Sequence, residues 1–253
     1  GTVVVVDRED GTVETVEGTP DVYAQGQGGM LDVETHPEYP DERWVYLTYS
    51  ATNDAGESAT HLGRGELVLE GESAPRLDGF EVLHVAEPFV RDDGHFGSRV
   101  VFGEDGMIYM TTGDRQNKTF GPEAPNHPSQ DRTKEIGSIL RLEPDGEIPE
   151  DNPFVDNPDA RDSIYSYGHR NAQGLAVHPE TGEVLDKYAV PAGMELGANA
   201  EARYYARDEA RQILDQLVAL TGAGEPDEVA VEHSGGVNVT VENTVVETDA
   251  YEE

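Results

Sequence analysis

The sequence predicts an all-β protein, a partial β-propeller, followed by a tail that combines an amphipathic helix with a β-hairpin. Three observations carry this reading. Short runs rich in β-branched and aromatic residues recur as far as Val184, separated by Gly, Pro and Asp turn signals. A weak repeat of strand, turn and strand returns at about seventy residues, long for a propeller blade but compatible with loop insertions. Apolar residues at helical spacing appear only beyond Asn199.

Taken in order, residues 2–6 and 12–16 are β-rich runs around Glu9-Asp10-Gly11 and read as a hairpin. Gly26-Gln27-Gly28-Gly29 leads into Leu31-Asp32-Val33 and His36-Pro37, and a turn at 38–42 precedes a strong strand at 44–50. Residues 51–58 read as a polar loop, and 66–70 and 80–85 as further strands about a Gly/Pro/Ser-rich turn. The stretch 92–114 organises the chain. It reads as a loop, a strand at 99–102, a tight turn at Glu104-Asp105-Gly106 and a return strand at 107–112. A hairpin brings its open ends together, so His95 and Asp114 are expected at one rim, the arrangement of a base and the carboxylate that orients it. Residues 115–136 form a long polar loop and 136–142 a strand. Residues 143–161 are acidic and proline-rich; their spacing does not fit an EF-hand calcium loop, and they read as a solvated loop.

The repeat unites these segments. Leu31-Asp32-Val33, Val100-Val101-Phe102 and Leu175-Ala176-Val177 each open a unit, and each follows polar residues: Gln27, His95, and Arg170 with Asn171. Blades around one axis place those groups at one end of the channel.

Composition narrows the function. Net charge is -35, from 52 acidic against 17 basic residues. The only lysines are Lys118, Lys134 and Lys187. The acid excess is spread over the chain, as in proteins adapted to high salt, where counterions screen self-repulsion. No basic stripe is present to release phosphate counterions, which argues against a nucleic-acid partner. The absence of cysteine excludes disulfides, thiolate metal sites and cysteine nucleophiles. No run approaches the 18 apolar residues of a membrane span. The chain opens at Gly1 with no signal peptide, as expected of a mature form or a fragment.

Four segments, in this order, resemble the soluble quinoprotein sugar dehydrogenases, the glucose/sorbosone dehydrogenase family that includes the aldose sugar dehydrogenases. They are Gly26-Gln27-Gly28-Gly29-Met30-Leu31-Asp32-Val33; Gly94-His95-Phe96-Gly97-Ser98-Arg99 with Thr112-Gly113-Asp114; Ile139-Leu140-Arg141-Leu142 with Pro144-Asp145-Gly146-Glu147-Ile148-Pro149 and Asp151-Asn152-Pro153-Phe154; and Tyr167-Gly168-His169-Arg170-Asn171-Ala172-Gln173-Gly174-Leu175-Ala176. The resemblance implies a six-bladed propeller that binds pyrroloquinoline quinone (PQQ) at one mouth of its channel, with calcium holding the cofactor. It implies oxidation of the anomeric hydroxyl of a small aldose sugar to a lactone, and an extracellular or cell-surface location. His95 would be the base, Asp114 its orienting carboxylate, and Arg170 the cation beside the quinone carbonyl. Gln27, Arg170 and Asn171 would contact the cofactor or substrate.

The resemblance ends after Val184. Leu185-Asp186-Lys187-Tyr188-Ala189-Val190-Pro191 stands where the family's calcium loop would follow, so no metal ligand is assigned. Residues 1–185 are therefore expected to form about half a propeller, and 186–253 an unrelated tail. In that tail Ala202, Ala206, Ala210, Ile213, Leu217 and Leu220 step at helical spacing up to Gly222. Val229 and Val231, then Val237, Val239 and Val241, flank Ser234-Gly235-Gly236 as a hairpin. Two readings stand at this point: a PQQ-dependent sugar dehydrogenase, and a truncated, non-catalytic propeller fragment that serves as a binding module or has no function. Half a ring leaves blade edges open, which predicts self-association and weak PQQ affinity.

Overall fold

The computed structural model describes residues 2–7, 10–69, 74–118, 126–178, 182 and 184–186. The helix and hairpin expected at 202–241 lie outside these residues. The described residues build consecutive antiparallel sheets. β1 (Val4–Val6) and β2 (Val13–Thr15) pair as the expected N-terminal hairpin. β3 (Met30–Thr35), β4 (Trp44–Thr52), β5 (Ser58–Val68) and β6 (Arg76–Val85) form a four-stranded meander in sequence order. β7 (Gly97–Phe102), β8 (Ile108–Thr112), β9 (Ser138–Leu142) and β10 (Ile164–Tyr167) form a second. β11 (Leu175–Val177) and β12 (Val184–Asp186) pair as a third unit. β7 lies against β3 on one side and β11 on the other. Up-and-down meanders whose first strands are neighbours are blades of a propeller. The three runs read as repeats fall on these three inner strands.

Each four-stranded sheet packs apolar side chains on both faces, because blades stack face to face. Tyr46 and Leu62 of the first sheet interlock with Val100, Ile108, Met110, Leu140, Leu142 and Ile164 of the second in one buried cluster. The far face of the first sheet, with Val45, Leu47, Tyr49 and Leu77, is covered by Val3, Val5 and Val16 of the N-terminal hairpin and the residue after it. The far face of the second sheet places Tyr109 and Ile139 against Leu175 and Val184. Fully burying such side chains contributes about 1.5–3 kcal/mol each.

Three local readings change. β4 and β5 occupy residues expected to be a polar loop and an unassigned stretch, because β5 starts at Ser58 and runs through His61, Gly63 and Gly65. The glycines interrupt the apolar pattern for a packing reason: a Cβ on Gly63 would stand 2.6 Å from Cζ of Phe80 on the neighbouring strand. Residues 164–167, unassigned by sequence, form β10. The acidic stretch 143–161 is also held to the body rather than solvated throughout. Arg141 Nη1 donates to Asp151 Oδ1 at 2.6 Å, and buried Asn152 donates through Nδ2 to the carbonyls of Arg141 and Asp162 at 2.9 Å.

Candidate active site

The site begins with a strained loop. From the loop after β6 into the start of β7 the backbone passes through His95 at φ 48°, Gly97 at φ 67° and Ser98 at φ 86°. Non-glycine residues in this left-handed region cost about 1–3 kcal/mol each and persist only where surroundings hold them. Every neighbouring blade contributes to that hold. Thr48 and Thr60 of the first sheet donate to the carbonyls of Ser98 and Phe96 at 2.6 and 2.8 Å. Gln27 Oε1 accepts the His95 N–H at 2.9 Å, and Asn171 Oδ1 accepts the Gly97 N–H at 3.0 Å. Gly97 is required where the loop crosses the end of β8, since a Cβ there would stand 2.6 Å from the Thr112 carbonyl carbon.

Asp114 follows directly on β8 and is 1% exposed. Its Oδ1 accepts from His95 Nδ1 at 2.6 Å and from the Gln116 N–H at 3.0 Å. Its Oδ2 accepts from Arg170 Nη1 at 2.7 Å. The Asp114 N–H in turn donates to the Arg170 carbonyl at 2.7 Å, and Gly113 bridges to Asn171, so the loop before β11 is sewn to the end of β8. Burial pushes the Asp114 carboxyl up, but hydrogen bonds from two histidines and the Arg170 charge outweigh it and hold the group below the usual aspartate value. An ionised Asp114 fixes the His95 proton on Nδ1 and leaves Nε2 with its lone pair, the form of a general base.

All five residues singled out in the sequence, Gln27, His95, Asp114, Arg170 and Asn171, thus meet at the entry to the three inner strands. Two of them act locally otherwise than expected: the side-chain oxygens of Gln27 and Asn171 are engaged by backbone N–H groups of the His95 loop. Their amide N–H groups are the donors that remain for a ligand.

Three further residues carry no signal in the linear sequence. Arg115 is buried, with its guanidinium carbon 4.0 Å from the Phe96 ring centroid. It donates to the carbonyls of Gly94, Ser58 and Asp92 at 3.0, 2.7 and 2.5 Å and to Ser58 Oγ at 2.8 Å. Burial lowers its pKa to about 10. Asp114 therefore grips the His95 side chain while its neighbour grips the His95 loop. His127, also buried, places Nε2 3.3 Å from Asp114 Oδ2. Glu135 lies beneath the end of β8, where it receives His84 Nε2 at 2.9 Å, the Glu87 N–H at 2.7 Å and the Ser163 hydroxyl, while its carbonyl accepts from Thr112. Arg115 adjoins Asp114 in sequence, but only the folded loop reveals its targets. His127 sits in a stretch that reads as a polar loop.

A cleft of about 660 Å³ lies along the inner strands, lined by Gln27, Asp32, Glu34, Phe96, Arg99 and Gln173 among others; of the five site residues only Gln27 lines it. Asp32 accepts from Arg99 Nη1 at 2.7 Å and from the Val100 N–H at 2.9 Å, and Arg99 Nε reaches the Gln173 carbonyl at 3.3 Å. One arginine so links all three blades.

The glucose/sorbosone dehydrogenase family model matches residues 1–195. The chain is 34% identical over 191 residues to an aldose sugar dehydrogenase of Escherichia coli, covering 75% of this chain and 48% of that protein. It is 31% identical over 207 residues to quinoprotein glucose dehydrogenase B of Acinetobacter calcoaceticus, covering 76% and 42%. Among solved structures, a glucose dehydrogenase superposes with a TM-score of 0.67 at 32% identity, over 76% of this chain and 56% of that one. The PQQ-bound aldose sugar dehydrogenase of Streptomyces coelicolor superposes with a TM-score of 0.60 at 30% identity, over 73% and 49%. The chain spans about half the length of the curated relatives it matches.

Proposed function

Because the chain belongs to the glucose/sorbosone dehydrogenase family, we propose that its site serves the PQQ-dependent oxidation of an aldose sugar at the anomeric carbon to a lactone. The observation that carries this reading is the three-residue contact of His95, Asp114 and Arg170 at 2.6 and 2.7 Å. The donor set suits an anionic ortho-quinone along one edge: the Arg170 guanidinium, with the amide N–H groups of Gln27 and Asn171. These residues would hold PQQ, which when bound supplies the acceptor for the hydride of the sugar's anomeric C–H bond. Among the described residues no group of three or more carboxylate or imidazole side chains is placed to hold a metal ion.

The chain's own contribution is proton chemistry and positioning. His95 Nε2 takes the proton of the anomeric hydroxyl, a role worth about 10²- to 10⁴-fold. Asp114 holds the ring in the tautomer with Nε2 bare and stabilises the imidazolium that follows. Arg170 keeps its charge throughout, because a guanidinium is not deprotonated in this pH range, and offers it where negative charge develops. The strained loop sets where Nε2 lies, and near-attack placement is what makes the base effective.

The experiment is a PQQ titration of the chain followed by a dye-linked aldose assay, with His95→Ala as control. Dye reduction that requires both PQQ and aldose, and falls at least about 10²-fold in the control, is the expected result. Dye reduction without dependence on PQQ, or none at all, overturns the dehydrogenase reading for this chain and leaves the non-catalytic propeller module.

A further inference from the structure

We infer that His127 is a positioning residue of this site, whose Nε2–H shares the Asp114 carboxylate with His95 and Arg170 and thereby limits the basicity of His95. The inference rests on the base role proposed above for its meaning, but its physical content is independent of any cofactor.

The tautomer follows from the turn that holds the ring. His127 precedes the short 3-10 helix Pro128–Gln130 and caps it: Nδ1 accepts the Ser129 N–H at 3.2 Å and stands 2.8 Å from Ser129 Oγ. A backbone N–H can only donate, so Nδ1 is the bare nitrogen and the proton of neutral His127 sits on Nε2. That nitrogen faces Asp114 Oδ2 at 3.3 Å, a buried charge contact that falls short of an aligned hydrogen bond. His127 is 4% and Asp114 1% exposed, so water does not level the interaction.

The carboxylate is consequently shared. Oδ1 serves His95 Nδ1 and the Gln116 N–H, and Oδ2 serves Arg170 and faces His127. Each donor draws on the same negative charge. A histidine paired with an otherwise unengaged aspartate gains basicity, becomes protonated at neutral pH and can then no longer accept a proton. Sharing Asp114 spreads its charge over several donors and counteracts this. Among the described residues, the other charged groups around His95 are Arg170 from the β11 side, Asp92 and Asp93 on its own loop, and Arg115, which holds the Gly94 carbonyl. None changes when His127 is replaced.

The test is an NMR pH titration of the His95 imidazole in the cofactor-free chain, for the wild type and two variants. His127→Asn keeps an oxygen near the position of Nδ1, and so the Ser129 cap, but is too short to reach Asp114. His127→Gln places its amide N–H groups near the position of Nε2. The His95 pKa is expected to rise by about half a unit or more in His127→Asn and to return toward the wild-type value in His127→Gln. In the wild type the His127 nitrogen shifts should report Nδ1 bare and Nε2 protonated. An unchanged His95 pKa in folded His127→Asn overturns the inference, as does a wild-type spectrum with Nδ1 protonated; the latter decides the matter even if both variants fail to fold. No turnover in the PQQ assay would leave these titrations untouched, so failure of the dehydrogenase reading and failure of this inference are told apart.

Discussion

At the scale of single residues, buried carboxylates make this fold sensitive to pH. Glu135 is 3% exposed. Burial pushes its carboxyl up, yet the His84 hydrogen bond and charge, with Ser163 and the Glu87 N–H, hold it below the ordinary glutamate value of 4.5. A folded-state pKa below the unfolded one stabilises the fold above the unfolded value, and that stabilisation is lost as pH falls through the folded value. The wild-type unfolding midpoint in urea should therefore drop steeply below about pH 4.5. Glu135→Gln, which cannot ionise, should be less stable at pH 7 and show a shallower acid fall. Parallel acid limbs in the two proteins would refute the assignment. His95 and Asp114 were legible at this scale because a hairpin joins them. His127 and Arg115 were not, since their partners are brought to them only by blade packing and by the left-handed turn at Arg115 and Gln116.

At the scale of elements, the His95 loop and the β7–β8 turn use glycine for different reasons. Gly106 has φ 78° in a tight turn with open space where a Cβ would go. Gly97 has φ 67° but lies against the Thr112 backbone. Both were visible as glycines in the sequence, and only the turn glycine had a readable role. Alanine at position 106 should cost about 1–2 kcal/mol, the left-handed penalty alone. Alanine at position 97 should cost that and about 1–3 kcal/mol more, because backbone must move. Urea unfolding of the two variants side by side measures the difference, and equal costs would show that the loop tolerates the crossing. The same contrast explains β5: glycine at 63 and 65 looks like a strand breaker in sequence, whereas in the sheet it makes room for Phe80.

At the scale of the whole molecule, charge and topology act together. The net charge of -35 repels itself across a small surface. The Debye length falls from about 10 Å at 0.1 M salt to about 3 Å at 1 M, so added salt removes most of that repulsion while screening buried pairs such as His84–Glu135 much less. The thermal midpoint should climb from low to molar potassium chloride, and a flat profile would exclude adaptation to high salt. Topologically, the N-terminal segment packs Val3, Val5 and Val16 on the far face of the first sheet, while Val4, Val6 and Val13 of the hairpin stay exposed.

By itself the sequence determined the strand-rich class, the three inner-strand repeats and the pairing of His95 with Asp114, because each follows from local periodicity or from a hairpin that joins its own ends. Tertiary structure decided the rest. Asp114 becomes a carboxylate shared by His95, His127 and Arg170, Gln27 and Asn171 become braces of a strained loop, and Arg115 becomes the clamp on that loop. Those roles depend on contacts between residues far apart in the chain, on separate blades and loops, and no periodicity encodes which loops face one another. Packing of one apolar sheet face on the next fixes that, and it sets the hydrogen-bond partners of every polar group it encloses.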